Sequence, residues 1–260
     1  MTHRLIAAAT GSGKSFVTQA TIEQNVGEYP YTVVFDYKDE YRGLVDAGLL
    51  SHFIVGPRET GWTVETWRQF FKQNPKTVLI RHRLDPDVWR EVAGRVVAAV
   101  RELGAQSDGA LLVLDEAHFL APQRGGYPDS IKGVATTGRG EGVSSIIVTQ
   151  RLSELDETVV SQAGERLLGV FSSSADLSKV GRTVGYPKEV HNPEEDRIAK
   201  LPDELHADKG PIPLRKFDVG SEWIYSDLSG KRERRDSRQI TMDSEHIGGE
   251  GNSIRDPANG

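Results

Sequence analysis

Short apolar runs alternate along the chain with stretches in which apolar residues recur every three or four positions. The runs predict β-strands, and the three- and four-residue spacing predicts amphipathic helices. The predicted strands are Arg4–Ala9, Tyr31–Tyr37, His52–Val55, Lys76–His82, Ala110–Phe119, Ser144–Arg151 and Glu165–Ser172. The predicted helices include Lys14–Val26, Val64–Gln73 and a long apolar face from Val88 to Leu103.

Most of these strands are continuously apolar, so we expect the sheet to be covered on both faces. The alternation of strands and helices favours an α/β fold with a mostly parallel central sheet covered by helices. We expect residues 1–205 to form the main domain and residues 206–235 a small peripheral β extension with a Gly-containing turn. Residues 236–260 are polar and Gly-rich, which favours a disordered tail.

The segment AATGSGKS, from Ala8 to Ser15, lies between the first predicted strand and the first predicted helix. This context is the one a phosphate-binding loop requires. Glycines allow backbone N–H groups to surround phosphates, Lys14 supplies a charge for the β- and γ-phosphates of ATP, and the Ser15 hydroxyl can bind Mg²⁺. The candidate nucleotide-binding residues are Thr10, Gly11, Ser12, Gly13, Lys14 and Ser15.

One position departs from the usual pattern of such loops, G-x-x-x-x-G-K-[ST]. Ala8 stands where the first glycine is expected. We expect little loss from this change, because the position needs a tight bend more than it needs a missing Cβ. An ordinary turn before a helix would not require Lys and Ser after Gly, so the nucleotide-binding interpretation is favoured.

A second candidate site feature is the acidic end of the strand in LLVLDEAH. In a parallel sheet, the carboxyl ends of the strands lie at the same edge as the phosphate-binding loop. Asp115 is therefore placed to hold Mg²⁺ through water, and Glu116 to act as the general base on the attacking water. His118 is better interpreted as a packing or hydrogen-bonding residue.

The next strand ends in polar residues, in IIVTQR. Gln150 could sense the γ-phosphate or orient water. Arg139, in a Gly-rich segment upstream, and Arg151 are candidates for an arginine that acts across a subunit interface on transition-state charge. Either arginine could instead be an ordinary surface residue.

Composition narrows the possible classes of protein but does not identify one. The chain has 37% hydrophobic and 27% charged residues, as in a globular protein, and it contains no cysteine for disulfides or metal sites. Its formal net charge of −6 predicts that any contact with nucleic acid is local. No apolar run approaches the roughly 20 residues that span a bilayer, and we expect no signal peptide.

Taken in order, the motifs resemble the HerA–FtsK superfamily of DNA-pumping ATPases, within the RecA-like division of P-loop proteins. The resemblance covers roughly residues 3 to 190 and is carried by ATGSGKS, VVFDYKDEYRGL, LLVLDEAHFLAP and GRGEGVSSIIVTQRLSEL. The second segment is similar to a HerA-type D-x-K-x-E-[YF] run. Its matching residues are Asp36, Lys38, Glu40 and Tyr41. The resemblance implies ATP and Mg²⁺ as cofactors, the RecA-like strand order, and a homo-oligomeric ring, usually a hexamer, with DNA in its pore.

The first predicted strand begins at about Arg4, so we expect a minimal single-domain member. Such a chain looks like the genome-packaging ATPases of membrane-containing viruses with double-jelly-roll capsids. This resemblance implies a capsid vertex or portal-like partner, and a location in the host cytoplasm or virion. The alternatives are a HerA-type cellular or plasmid DNA pump, an assembly or export ATPase acting on protein, and a nucleotide-binding scaffold without turnover.

Contact with double-stranded DNA would require positive groups that face the pore. The preferred candidates lie in a Gly-Gly-containing loop, PQRGGYPDSIKG, and a second set lies in RHRLDPDVWR. Such contacts would be to phosphates, and so independent of sequence and sensitive to salt. Both segments could equally be ordinary surface loops. The candidate residues are Arg124, Tyr127, Lys132, Arg81 and Arg83, with Arg90 also in the second segment.

Overall fold

The computed structural model describes residues 2–247 of the 260-residue chain. The strands are β1 His3–Ala7, β2 Tyr31–Asp36, β3 Ser51–Val55, β4 Lys76–Arg81, β5 Ala110–Leu114, β6 Val143–Thr149, β7 Glu165–Leu168, β8 Glu222–Asp227 and β9 Arg232–Asp236. The α-helices are α1 Lys14–Asn25, α2 Arg42–Asp46, α3 Val64–Gln73, α4 Pro86–Ala105, α5 Asp129–Thr137, α6 Glu157–Gln162 and α7 Ser174–Thr183. No helix in this part of the chain is both long and apolar enough to cross a membrane.

The nine strands found among residues 2–247 belong to one sheet, in the order β3-β4-β2-β5-β6-β1-β7-β8-β9. The strands from β1 to β7 pair in parallel, and β8 and β9 continue the sheet in the antiparallel sense beyond β7. The expected α/β fold with a mostly parallel sheet is therefore confirmed. The C-terminal strands extend the central sheet itself, with a turn around Gly230 between them.

Helices cover the sheet on both faces, which explains why its strands are continuously apolar. Leu5 faces a core that includes Trp89 of α4, whereas the next residue, Ile6, faces a second core that includes Ile22 of α1. All four of these side chains are fully buried. The alternation of side chains along a strand thus supplies both cores, as in other three-layer α/β domains.

The strand order brings three strand ends together at the carboxyl edge of the sheet. β6 lies between β1 and β5, with Ala7 level with Thr149 and Leu114 level with Ile147. The segments that follow these strands therefore meet at one edge. This is the arrangement in which open parallel sheets form ligand sites.

Two sequence-based expectations about this edge were wrong in detail. The strand expected to run to Phe119 ends at Leu114, because Glu116 adopts a left-handed conformation with φ of 47° and a 3₁₀ turn follows. The loop expected over residues 122–133 becomes helix α5 from Asp129, because its apolar positions, including Ile131, pack into the core. The Gly-Gly pair occupies only the exposed part before this helix.

The expected tail, residues 236–260, also differs from the structure where the structure describes it: Asp236 is the last residue of β9, and residues 237–247 contact the folded domain. The remainder, residues 248–260, lies outside the described residues. Glu23 of α1 accepts hydrogen bonds from the backbone N–H groups of Asp243 and Ser244, at 2.6 and 2.9 Å. Gly43 leaves room for this segment, since a Cβ at that position would lie 1.8 Å from the carbonyl oxygen of Glu245. The polar composition of the segment concealed these contacts with α1 and α2.

A third, smaller core joins the C-terminal part to the end of β7, and His191 lies within it. The imidazole Nδ1 lies 2.7 Å from the carbonyl oxygen of Gly169, and Nε2 lies 3.1 Å from the Tyr186 hydroxyl. Burial lowers the pKa of His191 to about 4, although the hydrogen bond to Gly169 opposes the shift. The folded protein therefore contains a neutral imidazole.

The lowered pKa of His191 predicts that the protein loses stability in mild acid. The unfolded chain takes up a proton near pH 6.5, whereas the folded chain does so near pH 4. The contribution of His191 to the free energy of unfolding should therefore fall by about 3 kcal/mol as the pH drops from 6.5 to 4, and change no further below that. In guanidinium titrations across this range, His191→Gln should show a flatter pH dependence than the wild type. The exposed His52→Gln control should follow the wild type, and parallel curves for all three proteins would contradict the prediction.

Candidate nucleotide-binding site

The loop between β1 and α1 has the backbone conformation that a phosphate-binding loop needs. Gly11 and Gly13 adopt left-handed conformations with φ of 70° and 76°, and Gly13 caps α1. Side chains are strongly disfavoured at such positions, which accounts for the glycines of the motif. The helix N-terminus and the backbone N–H groups of the loop together favour an anion here.

Ala8 is tolerated because a glycine stands opposite it. Ala8 is fully buried, and a Cβ added to Gly169 at the end of β7 would lie only 2.8 Å from the Ala8 methyl group. The space that the usual motif obtains from its first glycine is thus provided here by Gly169. The neighbouring backbone remains in place, since Ala9 donates a hydrogen bond to the carbonyl oxygen of Val170 at 2.8 Å.

Lys14 lies inside the loop, and its ammonium donates a hydrogen bond to the carbonyl oxygen of Ala9 at 3.1 Å. Burial lowers the pKa of Lys14, while the negative charges of Glu116 and Asp115 oppose this shift. The ammonium is therefore held close to both the loop and the acidic residues. A phosphate in the loop would give it a stronger partner than a peptide carbonyl.

Asp115 follows β5 directly and is buried at the same edge. Its Oδ2 has no hydrogen-bond partner within the described part of the chain. Burial raises the pKa of this carboxyl well above its usual range, and the charges of Glu116, Glu40 and Asp36 raise it further. A buried carboxylate oxygen without a partner is costly unless a cation or a proton joins it.

Glu116 also points a carboxylate oxygen at the site. Its Oε1 accepts a hydrogen bond from the ammonium of Lys38, and its Oε2 has no hydrogen-bond partner among the described residues. His118 lies 3.5 Å from Oε2, but its Nδ1 is hydrogen-bonded to the Thr149 hydroxyl at 3.1 Å, and burial lowers its pKa. The expected hydrogen-bonding role of His118 agrees with this geometry.

This arrangement fits Mg²⁺ with a nucleotide better than Mg²⁺ held by the protein alone. In residues 2–247, no three acidic, histidine or cysteine side chains converge closely enough to hold a metal ion. Mg²⁺ in phosphoryl-transfer sites is bound by one or two protein oxygens, with phosphate and water completing its shell. Ser15 and the unpartnered Oδ2 of Asp115 are suitable protein ligands of that kind.

Gln150 is brought to the phosphate-binding loop as the strand order requires. Its Oε1 accepts a hydrogen bond from the Thr10 hydroxyl at 2.7 Å. Arg151 follows at the same edge, but its guanidinium is exposed and pairs with Glu154 at 2.8 Å. Arg139 lies in the 3₁₀ turn before β6, at the opposite edge of the sheet from the loop.

The candidate DNA-contacting residues are in different environments. Arg124 and Lys132 are exposed, Lys132 on helix α5, whereas Tyr127 is partly buried against the main core. The guanidinium of Arg81 lies over the ring of Tyr37, 4.1 Å from its centre. Arg83 is exposed and has a φ of 53°.

Two of the arginines in that second segment contact backbone carbonyl groups. Arg81 donates a hydrogen bond to the carbonyl oxygen of Leu84. Arg90 donates one to the carbonyl oxygen of Phe119 at 2.7 Å. These contacts give both side chains a structural role, whereas Arg124, Lys132 and Arg83 are exposed.

Lys38 was not among the sequence-derived site residues, although it lies in the segment that resembles the HerA-type run. The carboxylate of Asp36 shapes the turn that carries it, by accepting hydrogen bonds from the backbone N–H groups of Lys38, Glu40 and Tyr41. Burial lowers the pKa of Lys38, but the hydrogen bond and charge of Glu116 outweigh this, and the net shift is upward. Lys38 therefore holds one oxygen of Glu116.

The C-terminal extension also contributes to the site, which sequence reasoning missed. Ser221 donates a hydrogen bond from its hydroxyl to the carbonyl oxygen of Ser12 at 2.7 Å. The ammonium of Lys216 would lie 3.6 Å from a Cβ built on Gly11. A cavity of about 890 Å³ opens between the phosphate-binding loop and the segments around Phe217 and Arg238. Its size is typical of small-molecule sites.

Comparisons with known proteins support the fold. No protein-family model and no curated protein matches the sequence. Among solved structures, the genome packaging NTPase B204 from Sulfolobus turreted icosahedral virus 2, in complex with sulfate, matches with a TM-score of 0.60 and 13% identity over 90% of this chain and 95% of that chain. The same protein in complex with ATPγS matches with a TM-score of 0.58 and 13% identity, over 90% and 96% of the two chains.

VirB4 of Thermoanaerobacter pseudethanolicus matches with a TM-score of 0.59 and 11% identity, over 94% of this chain and 89% of that chain. Identities this low establish a shared fold and nothing finer. The chain thus has the fold of P-loop ATPases. The fold expected from the resemblance to the HerA–FtsK superfamily is therefore confirmed.

The pair formed by Lys38 and Glu116 predicts a measurable energetic coupling. We expect a double-mutant cycle with Lys38→Met and Glu116→Gln to give a coupling of about 1–3 kcal/mol in the free energy of unfolding, because the Glu116 side chain is only 4% exposed. The exposed pair of Arg151 and Glu154 provides the control cycle, with an expected coupling of about 0.5 kcal/mol or less. Equal coupling in the two cycles would show that Lys38 does not hold Glu116 in solution.

Proposed function

We propose that this chain is a Mg²⁺-dependent ATP hydrolase that translocates double-stranded DNA and packages a viral genome into a preformed capsid. The observation that carries the hydrolase is the meeting, at one sheet edge, of a phosphate-binding loop with the buried carboxylates of Asp115 and Glu116. DNA as cargo is supported by the HerA–FtsK-like segments and by the fold shared with a genome packaging NTPase.

In this proposal the loop and the acidic edge divide the binding of Mg²⁺–ATP between them. Backbone N–H groups from Thr10 to Ser15 bind the phosphates, and Lys14 exchanges the Ala9 carbonyl for the β- and γ-phosphate oxygens. Ser15 and Asp115, the latter through water, hold Mg²⁺, which supplies positive charge to the phosphate oxygens. Binding also satisfies the Asp115 oxygen that otherwise lacks a partner.

The hydrolytic step is assigned to Glu116 with help from its neighbours. Its free Oε2 accepts a proton from the attacking water, while Lys38 on Oε1 fixes the orientation of the carboxylate. Gln150, hydrogen-bonded to Thr10, is close enough to the loop to sense the γ-phosphate and to orient that water. Glu116 and Gln150 would then act at the phosphate-binding loop of their own subunit.

An arginine from a neighbouring subunit completes the proposed site. Arg139 lies in the turn at the sheet edge opposite the phosphate-binding loop, and we assign it to the site of another subunit rather than to the site of its own. Arg151, at the same edge as the loop, is the second candidate. We propose a hexameric ring, as the family resemblance implies, with DNA phosphates contacting Arg124 and Lys132 in the pore.

The proposed cellular setting follows from the viral interpretation. A packaging motor works in the host cytoplasm or in the assembling virion, and it needs a capsid vertex or portal-like protein as its docking partner. The HerA-type pump and the protein-acting ATPase differ from it in cargo and partner rather than in the chemistry of the site. DNA dependence of ATP hydrolysis therefore separates the protein-acting alternative from both DNA pumps.

The role of Glu116 predicts that Glu116→Gln binds ATP but hydrolyses it at least about 100-fold more slowly, because the amide cannot take the proton from water. Steady-state turnover with Mg²⁺ and DNA, together with calorimetric ATP binding, measures both properties. Glu91→Gln on the exposed side of α4 serves as a control and should retain full turnover. Undiminished hydrolysis by Glu116→Gln would remove this residue from the mechanism.

The proposed cargo predicts that double-stranded DNA stimulates ATP hydrolysis, and that Arg124→Ala combined with Lys132→Ala weakens the stimulation. Each lost phosphate contact should also reduce the slope of log affinity against log salt concentration by about 1. Lys72→Ala, an exposed charge in the last turn of α3, is the matched control and should leave both quantities unchanged. Hydrolysis that DNA never affects would contradict the DNA pump and favour the protein-acting alternative.

A further inference from the structure

The cavity beside the phosphate-binding loop has two chemically different sides. One side is the loop itself, with Gly11, Gly13 and Ser15. The other side comes from the C-terminal part of the chain, including Phe217 and Arg238. The loop accounts for the phosphates of a nucleotide, and the rest of the cavity is left for the group that the phosphates carry.

The C-terminal side is fixed to the loop rather than loosely placed beside it. The Ser221 hydroxyl is buried and donates to the carbonyl oxygen of Ser12 at 2.7 Å. Lys216 and Ser221 pair as an isolated antiparallel bridge, which closes a tight turn over the four residues between them. Gly220, with φ of 85°, permits this turn, and a Cβ there would meet Arg238 at 2.8 Å. The turn is thus held against both the loop and Arg238.

Phe217 and Arg238 stack on each other at this side of the cavity. The Arg238 guanidinium lies 3.5 Å from the centre of the Phe217 ring. Its own position is set by Asp236, whose carboxylate accepts hydrogen bonds from Nε at 3.0 Å and from Nη2 at 2.6 Å. Aromatic rings and guanidinium planes are the groups on which nucleobases stack in proteins.

A second apolar surface comes from the start of α1 and the C-terminal segment. The rings of Phe16 and His246 meet edge to face with their centres 5.6 Å apart. His246 is anchored through Nδ1 to the Gln19 side chain at 2.9 Å. Both rings line the cavity, as Phe217 does.

We propose that the C-terminal extension forms the nucleobase subsite of this chain, with the purine ring of ATP extending the stack that Phe217 and Arg238 form. The inference rests on the proposed function, since it assumes that the phosphates occupy the loop. Aromatic walls, the guanidinium plane and the attachment to Ser12 all suit a planar heterocycle. The ammonium of Lys216 lies on the phosphate side of the same turn, beside Gly11.

The test separates binding of the base from binding of the phosphates. Calorimetry with ATP and with inorganic tripolyphosphate, which has no base, is carried out on the full chain and on Phe217→Ala. We expect the substitution to weaken ATP binding about 10-fold or more and to leave tripolyphosphate binding unchanged. Phe217→Tyr, which keeps the ring, should restore ATP affinity, and Leu228→Ala, an exposed apolar residue in the β8–β9 turn, should match the wild type.

Photolabelling locates the base without any substitution. Irradiation of the wild-type protein with 8-azido-ATP, followed by peptide mapping, should place the label on residues 215–221 or 237–239, and excess ATP should prevent labelling. ATP-protected label elsewhere, or equal losses of ATP and tripolyphosphate binding in Phe217→Ala, would overturn the subsite while leaving the ATPase proposal intact. Failure of the wild type to bind ATP at all would overturn both.

Discussion

The concentration of buried carboxyl groups at one edge of the sheet is the constraint on which the rest of the site depends. Asp36, Asp115 and Glu116 are all buried there, and removing a carboxylate from water costs several kcal/mol unless it finds partners. Asp36 finds them in the backbone of the next turn, and Glu116 finds one in Lys38. Asp115 keeps an oxygen without a partner, so the edge is completed only by something that brings positive charge or a proton.

The need to provide these buried carboxyl groups with partners also explains the backbone conformation at Glu116 and in the turn after β2. The left-handed conformation of Glu116 ends β5 early and turns its side chain towards Lys38. The turn after β2 exists in its present form because Asp36 gathers three backbone N–H groups. Natural proteins keep such local costs mainly where a ligand or a reaction requires them.

The sequence was sufficient for the parts of the site that local patterns determine. Gly11, Gly13 and Lys14 form a loop whose conformation and chemistry can be inferred from a few neighbouring residues. Asp115 and Gln150 could be placed near that loop because each follows an apolar strand, and parallel strands bring their carboxyl ends to one edge. Strand type and order along the chain were enough for this inference.

Contacts between distant segments could not be predicted in the same way. Lys38 and Glu116 are 78 residues apart, and Phe217 and Arg238 reach a loop about 200 residues before them in the chain. The local spacing of these residues in the sequence does not indicate that they are in contact in the fold. The role of Gly169 opposite Ala8 was hidden for the same reason, and the helical state of Lys132 was hidden by the preceding Gly-Gly pair.

Strand β9 is the outermost strand on one side of the sheet, and its sequence RERRD carries a charge at every position. A strand from another chain that approached this edge would have to strip water from a row of guanidinium and carboxylate groups before any backbone pairing could begin. Merging of sheets between neighbouring molecules is therefore opposed at this edge. Copies of this chain that assemble at β9 would have to contact one another through their side chains and not by pairing backbone strands. Such contacts can break and re-form without a strand leaving its sheet.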